Sequence, residues 1–270
     1  MFVVLQIEGR AQRGRAGILD RLRGSRLSGE TRQTAGGVYQ MMRWCGRTAP
    51  DWELIESACR RAHSRVLVPG WVQIPQSVRI QAPALPRFEQ RVLRDTACEI
   101  AAYSGLPLYR RVLGLVDPGG EFADMLPALL RFYSCVKVVT GNLELYTEES
   151  ERMMHELGAP VLVGCDAQSL DDCILIITRK AEHLQKVPSV PVLCPRGFPG
   201  GNPCITLPQI TPPREIIEDC PPGIPLQNFA GALYEFCGVQ NMNFAATAML
   251  CDYRQSSLAE VVNRIRDSDF

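Results

Sequence analysis

Residues 111–140 read RVLGLVDPGGEFADMLPALLRFYSCVKVVT and contain two β-rich apolar runs, separated by a turn and a stretch with helical spacing. The first run is Arg111 to Val116, the turn is Asp117-Pro118-Gly119-Gly120, and the second run is Cys135 to Thr140. The apolar residues between the turn and the second run recur at helical intervals: Phe122, Leu126, Leu129, Leu130 and Tyr133. A strand, a helix and a second strand in this order predict two parallel strands joined by a right-handed crossover.

The same alternation continues toward the C-terminus. Thr147, followed by Glu148 and Glu149, predicts the beginning of a capped helix that ends at Gly158. Three further apolar runs predict strands: Pro160 to Val163, Cys173 to Thr178 and Val190 to Leu193. Continuous apolar β-runs that alternate with helices are typical of a parallel sheet with helices on both faces. We therefore predict an α/β domain over residues 108–270.

The flanking regions predict smaller elements. We predict that residues 50–107 form a small N-terminal α/β subdomain, with helices at 52–62 and from Pro86 to about Gly105, and a strand at 65–68. Helices are also expected at the C-terminus, at residues 229–237, at residues 244–250 and after the capping box Ser257-Leu258-Ala259-Glu260. Pro188 to Pro225 contains eleven prolines in 38 residues, which predicts an irregular surface excursion with an edge strand at Cys204 to Leu207.

Residues 1–49 are rich in Arg and Gly and are predicted to be mostly flexible. Between Gly9 and Gly37 there are few large apolar side chains, so this stretch buries too little surface to offset its ordering entropy. An RNA-binding arm is the alternative, since residues 1–62 hold eleven arginines against six acids. The arm lacks aromatic residues on which bases would stack, so we favour a solvated tail.

The composition excludes several classes of protein. With 29 basic and 29 acidic residues the formal net charge is zero, so no nucleic-acid partner is expected. The apolar runs fall far short of the roughly 20 residues that a membrane span needs, and the N-terminus lacks the basic region of a signal peptide. Eleven cysteines without a CxxC pair indicate reduced, mostly buried thiols and no structural zinc or other metal site. These features predict a cytoplasmic protein without a membrane partner.

Ligands of open parallel sheets bind beyond the carboxyl ends of the strands, where the strand order reverses. The turns after the predicted strands supply seven candidate ligand-binding residues: Asp117, Gly119, Gly120, Thr140, Asn142, Thr178 and Arg179. The side chains available there for acid–base chemistry are those of Asp117, Cys165, Asp166, Lys180 and His183. For these we favour structural roles in turns, core or surface, so no catalytic residue is assigned.

Aligned to the fingerprint G-x-G-x-x-[GA], residues 118–123 keep Gly120 at the second position and Ala123 at the third, with Pro118 at the first. Residues from about 110 to 180 thereby resemble the nucleotide domain of the Rossmann-type NAD(P)-binding superfamily, in the manner of shikimate dehydrogenase and glutamyl-tRNA reductase. The resemblance implies a Rossmann-like sheet and leaves NAD and NADP open as cofactors. Glu121 departs from the pattern, because it places a carboxylate where the helix start should meet an anion.

Three functions stay open from the sequence. The first is a Rossmann-like protein that binds a small anionic or nucleotide-like ligand at the carboxyl edge of its sheet, or whose cleft has decayed. The second is an NAD(P)-dependent oxidoreductase with a degenerate phosphate loop. The third is a non-catalytic protein-interaction module that uses Pro188 to Pro225 and the Arg-rich arm. Enzymatic activity and oligomeric state are left undecided, because a fold does not determine them.

Overall fold

The computed structural model describes residues 1–8, 26–46, 50–59, 62–166, 168–184, 190–195, 205–239, 244, 246–251 and 254–267. The described strands are β1 (Val3–Glu8), β2 (Arg26–Thr34), β3 (Gly37–Cys45), β4 (Val66–Leu67), β5 (Val112–Val116), β6 (Cys135–Val139), β7 (Val161–Val163), β8 (Leu175–Thr178), β9 (Val192–Leu193), β10 (Ile205–Ile210), β11 (Ala246–Cys251) and β12 (Arg254–Ser257). The described α-helices are α1 (Trp52–Cys59), α2 (Pro86–Tyr103), α3 (Leu126–Leu129), α4 (Leu143–Leu157), α5 (Arg214–Asp219), α6 (Leu226–Cys237) and α7 (Leu258–Asp267).

The chain divides into two compact units. The first unit comprises Met1–Phe88 and Pro212–Met242, and the second comprises Glu89–Thr211 and Asn243–Phe270. The predicted boundaries near residues 49 and 107 do not coincide with this division. Each unit is built from chain segments that are distant in sequence, which a reading of composition along the chain does not reveal.

The first unit contains a four-stranded sheet in the order β2-β3-β1-β4. Strand β1 pairs in parallel with β3 and β4, whereas β2 pairs antiparallel with β3. Val3 and Leu5 of β1 are buried and belong to one apolar cluster with Trp44 of β3 and Ile55 of α1. Strand β1 is therefore an interior strand of this sheet.

The predicted flexibility between Gly9 and Gly37 is wrong for its second half. Residues 26–34 form β2, which pairs with β3 over nine residues, from Arg26 opposite Cys45 to Thr34 opposite Gly37. Most β2 side chains are exposed, because this edge strand is held by backbone hydrogen bonds and not by apolar burial. Hydrophobic patterning does not detect such a strand. Residues 9–25 lie outside the described part of the chain.

The second unit contains the predicted parallel sheet. Its order is β7-β6-β5-β8-β9, and every neighbouring pair is parallel. Side chains alternate between two apolar clusters: Leu113 and Leu115 of β5 lie in one, and Val116 lies in the other. Helices α2, α3, α4 and α7 contribute to the first cluster. The second includes Leu170, from the short 3₁₀ helix Gln168–Leu170. This confirms the predicted α/β class, with a buried parallel sheet flanked by helices.

Two predicted helices differ from the observed elements. Helix α4 begins at Leu143 and not at Thr147, because Asn142 is its N-cap. Thr147 lies inside the helix, where its hydroxyl donates a hydrogen bond to the carbonyl of Leu143 (2.8 Å). The helix after the glycine turn is shorter than its apolar spacing predicted, with one α-helical turn at Leu126–Leu129 after the 3₁₀ helix Ala123–Met125.

The C-terminal segment of the second unit combines a confirmed and a wrong prediction. The capping box is present: the Ser257 N–H donates to Glu260 Oε2 (2.6 Å) and the Glu260 N–H donates to Ser257 Oγ (3.3 Å). Residues 244–250 do not form a helix, since Ala246–Cys251 is the middle strand of an antiparallel sheet, β10-β11-β12. The short apolar run fits both elements, and pairing with strands distant in sequence decides between them. Strand β10 occupies the predicted edge position and extends to Ile210.

No helix in the described ranges is long and apolar enough to cross a membrane. Nine cysteines whose side chains the structure describes are free thiols. Burial raises the pKa of Cys59 and of Cys98 to about 11, and that of Cys173 to about 12. These thiols are therefore uncharged at neutral pH.

We expect these three thiols to react with iodoacetamide much more slowly in the folded protein than after unfolding, because their raised pKa leaves little thiolate at neutral pH. In the unfolded chain a thiol ionises at about pH 8.5. The unfolded state alone therefore gains the negative charge of the thiolate as the pH rises toward 11. The contribution of the three uncharged thiols to the free energy of unfolding is thus complete below about pH 8 and is lost as the pH rises toward 11. Urea midpoints at two pH values, with mass spectrometry of the alkylated sites, measure both effects.

A variant with Cys59, Cys98 and Cys173 replaced by alanine is the control, and it should lose less stability between neutral and alkaline pH than the parent chain. Equal losses in the two proteins, or full alkylation of the folded chain at neutral pH, would contradict the assigned burial.

Candidate functional site

The strand order defines one place where ligands of such sheets bind. From β5 the chain passes to β6 and β7 on one side, and it then crosses to β8 and β9 on the other side. The order therefore reverses between β5 and β8, and the crevice of an open α/β sheet lies at the carboxyl ends of these two strands. Asp117 follows β5 directly and Arg179 follows β8 directly. All seven predicted site residues lie on this edge.

The buried carboxylate of Asp117 joins the glycine turn to α4. Asp117 is 4% exposed, and its Oδ2 accepts hydrogen bonds from the Tyr146 hydroxyl (2.6 Å) and from the Phe122 N–H (2.7 Å). Burial and the neighbouring carboxylate raise the pKa of Tyr146 well above its usual range, so its hydroxyl remains a donor. Asp117 therefore already has two protein partners.

The glycine turn packs directly against the first residues of α4. Gly120 has a φ of +84°, and a Cβ added there would lie 2.7 Å from Leu145 Cδ2 and 3.0 Å from Asn142 Nδ2. A Cβ on the adjacent Gly119 would meet only the Glu121 Cγ, at 3.7 Å. Gly120 is thus required by both backbone conformation and space, whereas Gly119 is not.

The turn after β6 is bonded to the turn after β5. The Thr140 hydroxyl donates to the carbonyl of Asp117 (2.8 Å), and the Gly141 N–H donates to the carbonyl of Pro118 (3.3 Å). Asn142 donates its N–H to the Thr140 hydroxyl (3.0 Å) and caps α4 through the Leu145 N–H. Thr140 therefore connects the turns after β5 and β6, and Asn142 connects the second of these turns to α4.

Arg179 is the only cation among the seven predicted residues. Its Nη1 lies 2.5 Å from both carboxylate oxygens of Glu121, and its Nε lies 3.8 Å from Glu89 Oε2. The side chain of Glu121 is 45% exposed and that of Arg179 is 21% exposed, so water reaches this ion pair. Thr178 is fully buried, and its hydroxyl donates to the carbonyl of Lys180 (3.0 Å).

The remaining polar side chains considered from the sequence have mainly structural contacts. Asp166 accepts the N–H of Ser169 (2.8 Å), and the Cys165 thiol contacts the carbonyl of Leu162 (3.3 Å). His183 ends the 3₁₀ helix Ala181–His183 that follows β8, and its buried ring Nδ1 has no hydrogen-bond partner among the residues that the structure describes. Among the described residues, no group of three or more His, Cys, Asp and Glu side chains could hold a metal ion.

Sequence patterns did not identify Tyr146 and Glu89 as parts of this edge. Both lie on amphipathic helices, where periodicity marks Tyr146 only as a core residue and Glu89 only as a polar one. Their contacts with Asp117 and Arg179 depend on how α4 and α2 pack beside the sheet. No local signal in the sequence encodes that packing.

The glycine turn does not fit the pyrophosphate of NAD or NADP in this arrangement. Such a group needs free backbone N–H groups and open space beside the second glycine. Here the Phe122 N–H donates to Asp117, and Leu145 and Asn142 fill the space beside Gly120. The turn after β6 also offers no carboxylate for a ribose hydroxyl.

The fold and this edge define a Rossmann-like α/β protein, a class that follows here from the strand order.

No protein family and no curated protein matches the chain. Among solved structures, the chain is similar to Δ1-pyrroline-2-carboxylate reductase from Thermococcus litoralis in complex with NADH and L-proline, with 14% identity and a TM-score of 0.28. The match covers 39% of this chain and only 36% of the reductase.

A second similar structure is L-tryptophan dehydrogenase from Nostoc punctiforme, with 10% identity and a TM-score of 0.32. This match covers 86% of the chain and 75% of the dehydrogenase. Both scores are too low to transfer a function or a site.

Proposed function

We propose that the second unit binds a small anionic, nucleotide-like ligand at the carboxyl edge of its parallel sheet. Arg179 is the main charged contact. The observation that carries this proposal is the position of Arg179 at the point where the strand order reverses, partly exposed and facing the glycine turn through Glu121. In the free protein, the Glu121 carboxylate binds the Arg179 guanidinium in the way that an anionic ligand would.

The contacts of the glycine turn separate this proposal from the oxidoreductase alternative. A ligand anion can displace the exposed Glu121 carboxylate without breaking the buried Asp117 bonds. A dinucleotide in the orthodox position would have to displace Asp117 from the Phe122 N–H and move the start of α4. The contacts therefore favour a mononucleotide-sized or smaller anion, and an NAD(P)-dependent oxidoreductase with a degenerate phosphate loop is the alternative to be tested.

Substitutions at the ion pair should change ligand affinity in opposite directions. We expect one or more of phosphate, pyrophosphate, AMP, ADP, NADH and NADPH to raise the melting temperature, by about 5 °C or more when the ligand is near 100 times its Kd. Arg179→Gln should abolish the increase, because the cation is lost. Glu121→Gln should strengthen binding about fivefold, because a competing carboxylate is removed. Thermal shift followed by calorimetric titration measures both.

Arg152→Gln is the matched control. Arg152 forms an ion pair with Glu149 on α4, and its loss should leave ligand binding unchanged. If none of the six anions stabilises the protein, the proposed function is wrong. Binding of NADH or NADPH alone, with the smaller anions inactive, would favour the oxidoreductase.

A further inference from the structure

A groove of 410 Å³ lies in the second unit, between α2 and the chain that leads from α3 to β6. One wall consists of α2 residues spaced four apart, including Cys98 and Ala102, which share a helix face. Ala128 and Phe132 belong to the opposite wall, just before β6 begins. The groove is thus near the amino ends of the strands, on the edge opposite Arg179. Its volume lies in the range of small-molecule sites.

The two walls are joined to each other beneath the groove. The hydroxyl of Tyr133 donates to the carbonyl of Ala97 (2.8 Å), and both residues are buried. The Cys98 thiol also contacts the carbonyl of Ala128 (3.8 Å). Because these contacts connect α2 to the facing segment, the groove is already formed in the free protein. A ligand does not have to open it.

The charges around the groove favour an anion. Asp95 is bonded by Arg91 Nε (2.7 Å) and Arg94 Nη2 (2.8 Å), so two guanidinium groups compensate its carboxylate. Arg131 lines the groove, is exposed, and has no ion pair or hydrogen bond within the described part of the chain. Glu99 is the other carboxylate of the lining. The lining itself contains two arginines, Arg94 and Arg131, and two acids, Asp95 and Glu99. Arg91 lies outside the lining but also binds Asp95, so these five side chains together carry one excess positive charge.

We propose that this groove binds a small molecule with a flat apolar body and one carboxylate group. The apolar body would lie against Ala102, Ala128 and Phe132, and the carboxylate would pair with Arg131. Tyr103, at 65% exposure, presents an aromatic side chain that such a ligand would cover. This site is independent of the anion site at Arg179.

Titration of the full chain with 2-naphthoate, followed by calorimetry, tests the proposal. We expect saturable binding of one molecule per chain, and binding of the uncharged 2-naphthylmethanol at least about fivefold weaker, since it lacks the charge that Arg131 attracts. Arg131→Gln should reduce the affinity for naphthoate to that for the alcohol. Ala102→Trp should abolish binding of both, because the indole fills the groove. Ala102 is exposed, so the chain accommodates this change, and a thermal melt verifies the fold.

Arg152→Gln and Arg179→Gln are the controls and should leave naphthoate binding unchanged, so a failure here is distinct from a failure at Arg179. Absence of saturable binding, equal affinity for the acid and the alcohol, or unchanged binding by Ala102→Trp would overturn the proposal. Sedimentation velocity provides a further test. A dimer of the parent chain that Ala102→Trp dissociates would show that a second copy covers the groove, and this would also overturn it.

Discussion

Gly120→Ala is expected to lower the free energy of unfolding by about 2–4 kcal/mol, the combined cost of a positive φ for a residue with a Cβ and of overpacking. The backbone at Gly120 has a φ of +84°, and the added methyl group would lie 2.7 Å from Leu145 Cδ2. The neighbouring atoms belong to the capped first turn of α4, which cannot withdraw without breaking the bond between Asn142 and the Leu145 N–H. Urea unfolding, followed by circular dichroism, measures the loss.

Gly119→Ala is the matched control one residue away. A Cβ there meets only the flexible Glu121 side chain at an ordinary distance, so the change in unfolding free energy should stay within about 0.5 kcal/mol. Similar losses in the two variants would show that the turn does not pack on α4 as described. In that case the space beside Gly120 would be open to a pyrophosphate.

Tyr146→Phe is expected to cost about 1.5–3 kcal/mol, the range for a buried hydrogen bond to a charged group. The lost hydroxyl donates to the Asp117 carboxylate at 2.6 Å, and Asp117 is only 4% exposed. Without this donor the carboxylate keeps one described hydrogen bond, from the backbone N–H of Phe122, in a largely buried position. The same unfolding experiment measures the effect.

Tyr133→Phe tests whether the charge of the hydrogen-bond acceptor determines how much stability is lost with the hydroxyl. Tyr133 is equally buried, but its hydroxyl donates to the uncharged carbonyl of Ala97, so its loss should cost only about 1 kcal/mol. In a double-mutant cycle, Asp117→Asn combined with Tyr146→Phe should cost less than the sum of the single changes. Additive effects would mean that the two side chains do not interact.

Local patterning predicted the parallel sheet correctly because its central strands β5 and β8 are buried on both faces and read as continuous apolar runs. Strand β6 alternates between buried and half-buried residues and includes Lys137, but its β-branched residues still indicate a strand. Glycine at the end of α4 and the capping box before α7 are likewise local signals, since each depends on residues within one helical turn. Strand β2 has no such signal, because its stability comes from pairing with β3.

The candidate site was predictable in position but not in its contacts. Once the strands are assigned, the residues that follow them must meet on one edge, which brought Asp117, Thr140 and Arg179 together. Whether their polar groups face a ligand or each other depends on helix packing. The ion pair of Arg179 with Glu121 joins residues 58 positions apart, and no pattern of spacing encodes it.

By itself the sequence determined the α/β class of the second unit and the edge on which a ligand site is expected. Each alternating strand or helix is indicated by the residue pattern of one short segment. Only the tertiary structure decided the strand order, the strands β1, β2, β3 and β11, and the closure of the glycine turn by α4. These features depend on backbone pairing and side-chain packing between segments that are distant in sequence. The free energy of such contacts is not a property of either segment alone.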